Sequence, residues 1–461
     1  MTIETPVVEE TLAELMSDGL FVDGDWVESK DQDPDGEVRL IQLADIGDGI
    51  FRNRSSRFLT LEKAKELRCT FLEPEDVLIA RMPEPLGRAC TFPGVGQPAV
   101  TAVDVCVLRP NHDRARPEWL VKAINSPDFR SSMEQFVRGT TRQRISRKNL
   151  GTLRLRVPEV AAQLAVASFI DEVEAKRGSV GDHVSAARRA IELFRQAVLA
   201  AACSGRLTVD WRQSHTPAES SQALLERSRK LVGGSAVRQL EADDWSEPEW
   251  LDLPDSWRWA PLRELAVIRG GIQKQPKRTP RRNAYPYLRV ANVQRGKLDL
   301  AEIRQFELFN GELDTYRLEP GDLLVVEGNG SSTEIGRSAL WNGEIPNCVH
   351  QNHIIRVRCA AMEPRFVDLF WNSPIAAREI AALAVTSAGL YSLSTKKIGS
   401  VPVPVVPIDE QREIIGRAEG LLAIADSVIA QVAAASVRVE RSGQAVLAKA
   451  FRGELVTLNG L

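Results

Sequence analysis

Two short stretches hold side chains of the kinds that grip and read nucleic acid. The run TTRQRISRK (140–148) offers Arg142, Gln143, Arg144, Arg147 and Lys148, and SAGLYSLSTKK (387–397) offers Tyr391, Ser392, Ser394, Lys396 and Lys397. Lysine and arginine meet phosphates whatever the sequence, whereas discrimination needs donors and acceptors presented to base edges. Arginine to guanine and glutamine to adenine are the natural bidentate pairs. A third stretch, IQKQPKRTPRRN (272–283), sets Lys274, Lys277, Arg278, Arg281 and Arg282 on a proline-broken loop. It suits a flap facing phosphates or a plain exposed loop in equal measure. HQNH (350–353) adds Gln351 and Asn352, amides suited to adenine, although the same cluster would also satisfy a turn. For each basic segment a solvated loop is the alternative.

Other chemistries lack their residues. There is no G-x-x-x-x-G-K-[ST] phosphate loop, and GRACTFPGVG (87–96) and GNGSSTEIG (328–336) have neither its lysine nor its spacing, so they read as turns. No glycine-rich strand–turn–helix fingerprint of a methyltransferase and no Asn/Asp-Pro-Pro-aromatic motif occurs, and no catalytic residue is assigned. The six cysteines contain no CxxC pair, so neither a zinc ribbon nor a disulfide framework is expected. His350 and His353 have no second ligand pair nearby, so no metal and no cofactor is expected. On this reading no apolar run approaches the eighteen or so residues that cross a bilayer, and the acidic start is unlike a basic signal peptide. A cytoplasmic protein without a membrane segment is the expectation.

The net charge of −3 argues against a nucleic-acid ligand until its distribution is read. Residues 1–37 hold twelve acids against Lys30 alone, a local charge of −11 that leaves +8 on the remainder. Residues 138–156 carry seven bases and no acid, and residues 271–300 carry eight bases against Asp299.

The elements that position these stretches come twice. QAVLAAACSGRL (196–207) returns as QAVLAKAFRGEL (444–455), an offset of 248 residues. Nearly the same offset relates FLEPEDVLIA (71–80) to RLEPGDLLVV (317–326), LIQLADIGDG (40–49) to YLRVANVQRG (287–296), and ISRKNLGTLRLRVP (145–158) to LSTKKIGSVPVPVVP (393–407). Each copy opens with Gly- and Pro-broken runs rich in Val, Ile and Leu, which read as a β-rich mixed domain. Each closes with a proline-free stretch dense in helix formers. In the first such stretch Val166, Ile170, Val173, Arg177, Val180, Val184, Ala187, Ile191, Phe194, Val198 and Ala201 step by fours and threes, a heptad seam broken only by Arg177. Adding 248 gives Ile414, Ala418, Leu421, Ala425, Val428, Val432, Ala435, Val439, Ser442, Val446 and Lys449 in the same register. Either each arm packs on its own domain, or the narrow seams face each other.

The expected fold is α+β: an acidic tail (1–19), a first recognition domain (20–159), a long helix (160–205), a linker (206–250), a second recognition domain (251–408) and a second long helix (409–455). The two helices would pair as an antiparallel coiled coil with pseudo-two-fold symmetry.

With its opening LPDSWRWAPLREL (253–265), its closing QAVLAKAFRGEL and two variable domains each ending in a long helix, the chain resembles the specificity subunits of type I restriction-modification systems from about residue 20 onward. The resemblance implies two target-recognition domains reading a bipartite site on double-stranded DNA. It also implies two modification (methyltransferase) subunits docked on the helices, with restriction (ATP-dependent endonuclease) subunits attached to those. The first copy departs from the pattern: DGDWVESKDQ (23–32) stands where LPxxWxW is expected, which leaves open where its first strand lies. The competing readings are a coiled-coil protein-interaction scaffold without DNA specificity, and a nuclease, for which no convincing carboxylate cluster is seen.

Overall fold

Short apolar runs bounded by turns make strands here, and the computed structural model sets them out over residues 7–83, 85–136, 144–233, 245–329, 334–387 and 390–452. The chain forms two compact units, Met1–Ser185 with Ala433–Leu461, and Ala186–Val432, so each unit contains part of each long helix.

In the first unit Val8–Thr11 pairs antiparallel with Arg154–Val157, Val8 opposite Val157. A four-stranded antiparallel sheet follows in the order Leu20–Asp23, Val105–Arg109, Val77–Ala80, Ala89–Thr91. A three-stranded sheet sets Val38–Ile41 between Phe58–Leu59 and, in parallel, Ala99–Thr101. The run VLIA is buried at all four positions, as a strand covered on both faces must be, whereas RLRV alternates exposed and buried. Helices Pro117–Ile124 and Pro127–Glu134 cover the larger sheet and bury Trp119, Leu120 and Phe129.

The second unit repeats this strand for strand. Arg258–Pro261 pairs with Pro402–Val405; Ala266–Gly270, Ile354–Cys359, Asp322–Val326 and Ser338–Leu340 form the four-stranded sheet; Arg304–Glu307, Ala284–Leu288 and Val349–His350 form the three-stranded one. The buried polar frame is repeated too. Arg109 forks onto buried Asp76 at 2.7 and 2.9 Å, and Arg358 onto buried Asp322 at 2.7 and 2.7 Å. Each of these aspartates also accepts the N–H of the glutamate three residues before it, Glu73 or Glu319. Arg88 donates to the carbonyls of Ile46 and Leu43, and Arg337 to those of Val293 and Val290. These are charge-assisted bonds that hold the loops of each copy in one shape.

Three expectations change. Residues 8–19 are no tail: Thr11 and Glu14 form a capping box on the short helix Leu12–Leu15, whose Leu12 and Leu15 are 0% and 1% exposed. The acids that suggest a tail point outward from a strand and a helix turn, and Glu10 pairs with Arg114 at 2.8 Å. The first copy therefore opens at Val8, in the place that Arg258 takes in the second, and not at DGDW. The segment 206–250 likewise contains two helices, Val209–Ser214 and Ser221–Gly233; the second packs Leu224 and Leu225 into the core of its unit and buries Val232 as well. Finally, GLLAIADSVIAQVAAASV (420–437) has Asp426 as its single charge, so by length and composition the second long helix is apolar enough to cross a membrane. Within the second unit Asp426, the one charge of that stretch, pairs with Arg195 of the first long helix.

The long helices are Val160–Cys203 and Ile408–Arg452, each about 65 Å long at 1.5 Å per residue. In the first unit Phe451 joins the core that holds Val166, while Arg177 reaches Glu440 at 2.7 Å, so the two run side by side in opposite directions. In the second unit Val198, Leu199, Ala202 and Cys203 share a core with Ile414, Ile415 and Ala418. The first seam is the least exposed face of its helix, apart from Phe194. The second follows the expected register as far as Val439, apart from exposed Val428, and then shifts by one: Gly443 and Ala450 are buried where Ser442 and Lys449 are expected. Gly443 lies against Arg177, the polar break in the first seam: a Cβ there would stand 2.6 Å from Arg177 Cδ, so a larger residue requires the arginine side chain to move.

Each long helix is rooted by a fully buried glutamine at the 248-residue spacing. Gln163 Oε1 accepts the N–H of Arg116 at 2.8 Å and its amide donates to the carbonyls of Pro158 and Arg114. Gln411 Oε1 accepts the N–H of Glu363 at 2.8 Å and its amide donates to the carbonyl of Val406 at 2.7 Å. Arg116 and Glu363 are the N-cap residues of the first covering helix in each copy, so the glutamine ties that helix, the last strand and the long helix together.

Gln411→Leu should leave a buried N–H and a buried carbonyl unpaired and lower stability by about 2 kcal/mol or more in urea unfolding, whereas Arg412→Ala next to it should cost under about 1 kcal/mol. At the seam, Ser442→Leu should change stability by less than about 0.5 kcal/mol and Gly443→Leu should cost on the order of 1–3 kcal/mol, the reverse of what a strict heptad repeat requires.

Candidate nucleic-acid interface

The second strand of each copy ends on a glycine pressed against a carbonyl. A Cβ at Gly24 would lie 2.1 Å from the carbonyl oxygen of Ala102, and one at Gly271 2.3 Å from that of His350, so neither site admits a side chain. Beyond each glycine the chain adds one parallel bridge, Asp25 with Ala102 and Ile272 with Gln351, before it leaves the sheet. Two more segments meet it there. In the second unit the Glu327 N–H donates to the His353 carbonyl (3.0 Å), the Leu393 N–H to the Glu327 carbonyl (2.8 Å), and the Asn352 N–H to the Ile272 carbonyl (2.9 Å). In the first unit the Arg81 N–H donates to the Asp104 carbonyl (2.9 Å) and the Ile145 N–H to the Arg81 carbonyl (3.1 Å). In the second unit, therefore, HQNH, the start of the basic loop and the LYSLS segment converge at one end of the four-stranded sheet.

The candidate side chains divide into those that hold the fold and those that face solvent. Arg142 and Gln143 lie outside the described residues. Arg147 belongs to the fold: it donates to the Phe21 carbonyl at 2.8 Å and to Asp23 at 3.1 Å, and its guanidinium lies over the Phe21 ring. Arg278 does too, forking onto Glu312 at 2.9 and 2.8 Å against the Phe309 ring, and holding the Glu312 carboxyl below its usual range. Lys397 donates to the Leu383 carbonyl at 2.7 Å, and Ser394 caps the helix Thr395–Ser400 by accepting the Lys397 N–H. Ser146 caps Arg147–Gly151 in the same way 248 residues earlier. Tyr391 sits in a strand opposite Asn329.

Solvent receives the rest. Lys148, Lys274, Lys277, Arg281, Arg282 and Lys396 are exposed, and Arg144 is exposed with Asp104 at 3.7 Å. Lys277 stands over the Phe309 ring. The backbone N–H groups of Arg281, Arg282 and Asn283 all donate to the Glu307 carboxylate, which lowers its pKa and fixes the loop while its basic side chains stay outside. Gln351 and Asn352 are half-buried. His350 is inside: its Nδ1 bonds the Ile354 carbonyl oxygen at 2.9 Å, and burial pushes its pKa down to about 4, so it braces the HQNH turn as a neutral imidazole.

One pair of positions escaped the reading of the residues. Arg81 and Glu327 end equivalent strands, and Asp104 and His353 face them. Arg81, 3% exposed, is locked against Asp23 at 2.9 Å; Glu327 instead pairs with exposed His353 at 3.2 Å. The signal was present in the repeat, which sets VLIAR opposite LLVVE at the spacing of the LEPxD motif. Among the described residues no group of three or more His, Cys, Asp or Glu could hold a metal, and burial raises the Cys106, Cys203 and Cys348 thiols to about 12.

No family model matches the chain. Over 430 residues, 91% of this chain and 83% of the relative, it is 27% identical to the type I restriction enzyme EcoKI specificity subunit of Escherichia coli K12. It is 28% identical over 344 residues, 74% of this chain and 65% of the relative, to the StySPI specificity subunit of Salmonella potsdam. In fold it is similar to a chain from a structural study of assembly and conformational transition in the type I R-M system, with a TM-score of 0.66, 17% identity and coverage of 99% of this chain and 100% of that one. The HsdS subunit of Thermoanaerobacter tengcongensis follows with a TM-score of 0.57, 17% identity and 97% of both chains covered. With a doubled domain-and-helix unit, relatives that match 91% and 74% of its length and a shared fold, the chain is similar in sequence and architecture to specificity subunits of type I restriction-modification systems.

Proposed function

We propose that the chain selects the DNA on which a type I restriction-modification complex acts, each unit reading one block of a bipartite duplex target. The observation that carries this is one backbone frame built twice, with different side chains at the same sheet end: Arg81 and Asp104 in one copy, Glu327 and His353 in the other. Identical frames place both reading surfaces alike, and different side chains make them read different bases. Lys274, Lys277, Arg281 and Arg282 face phosphates in this reading, Gln351 and Asn352 face bases, and Lys148, Lys396 and Arg144 contribute charge. Arg142, Gln143, Tyr391 and Ser394 remain candidates on the same segments. The chain carries recognition while methyltransferase subunits docked on the long helices, and ATP-dependent endonuclease subunits attached to them, carry catalysis. The complex acts on duplex DNA in the cytoplasm.

A protein-interaction scaffold without DNA specificity is favoured by a separate observation, the exposed Leu193 and Ile424 on the long helices within the second unit. The two readings differ in salt dependence. Phosphate contacts make log K fall linearly with log salt, so removing Lys274, Arg281 and Arg282 together should flatten that slope by about two to three. Association that is insensitive to salt supports the scaffold. A methylation-motif map should show two specified blocks around an unspecified gap, and exchanging residues 251–408 for another such domain should change one block only. A single contiguous site, or a change in both blocks, would overturn the two-module reading.

A further inference from the structure

The geometry points to Asn352 as the side chain through which the second unit reads an adenine, with Glu327 and His353 as the pair that positions it; the assignment rests on the DNA-reading role proposed above. A carboxylate only accepts, so the Glu327 oxygen 3.2 Å from His353 Nδ1 accepts the N–H of that nitrogen. In the tautomer whose single N–H is on Nδ1, Nε2 is an acceptor, and Asn352 Nδ2 lies 3.4 Å from it. One amide N–H is thereby occupied and the plane of the carboxamide is set. The free Oδ1 and the second N–H stand side by side, an acceptor next to a donor. In the major groove that order matches the N6 donor and N7 acceptor of adenine, whereas guanine offers acceptors at both places and would face Oδ1 with O6.

The frame beneath the amide is rigid. The Asn352 N–H is held by the Ile272 carbonyl, the Glu327 N–H by the His353 carbonyl, and buried His350 braces the same turn. His353, with 57% of its side chain exposed, and half-buried Asn352 lie at the convergent end of the sheet and keep access to a ligand. Among the described residues the first unit has no such relay. There the equivalent backbone carries Arg81, locked onto Asp23 and the Val103 carbonyl, and Asp104, so its block must be read by other groups.

The test selects targets from duplexes randomised in both blocks, using the full chain assembled with its methyltransferase subunits. Asn352→Ala should lower the preference for adenine at one position of the second block by about 5- to 100-fold and leave the first block unchanged. Glu327→Leu, which frees the imidazole, should weaken the same position, and Glu327→Gln, whose amide oxygen still accepts from Nδ1, should keep it. A purely structural role for Glu327 would instead degrade every position of the second block together. An unchanged second block in Asn352→Ala overturns the assignment of Asn352, and equal effects of the leucine and glutamine variants overturn the positioning role. Absence of any sequence preference in the unaltered chain would overturn the DNA-reading role itself.

Discussion

A glutamine side chain with no exposed surface stands at the foot of each long helix, and the architecture of both copies converges on it. Its carbonyl oxygen takes a backbone N–H from the start of a covering helix, and its amide gives a hydrogen to the carbonyl of the last strand's exit. Helix starts leave N–H groups without partners, and strand exits leave carbonyls; a carboxamide accepts through its oxygen and donates through its nitrogen, and so satisfies both at once. Placed there, it converts three separate elements into a single rigid root.

From that root the proposed reading surface inherits its precision. Arginine–aspartate forks and arginine hooks onto loop carbonyls repeat between copies almost atom for atom, so the loops beyond Gly24 and Gly271 leave the sheet from the same place in both. The side chains that then face solvent are free to differ. The first copy ends in a locked arginine and a run of acids, the second in an exposed glutamate–histidine pair beside an amide and a basic loop. A specificity protein needs this division, because a surface that reads sequence must vary while the frame that aims it must not.

Several features were legible in residues alone because they depend on local pattern. The doubling, the two long helices and the strand character of VLIA and DLLVV follow from spacing and apolar periodicity. The boundaries were less legible. Residues 8–19 look like a solvated tail because their acids lie on the outer side of a short strand and a helix turn whose buried side holds only Leu12, Leu15 and Met16. The segment after the first long helix hides a helix for a similar reason, its apolar stripe being short and set among polar residues.

The sequence by itself determined the duplicated domain-and-helix plan, the seam of the first long helix and which stretches are basic, all consequences of residue order at short range. Tertiary structure alone decided which of those basic groups stay free. Arg147 and Arg278 are as basic as Arg281 and Arg282, yet a carboxylate and an aromatic ring from residues distant in the chain close around the former and not the latter. It also decided the register of the second seam, where a glycine on one helix lies against the arginine that breaks the face of the other. A charge's partner and a side chain's available space come from atoms brought together by folding, and no periodicity in either segment encodes them.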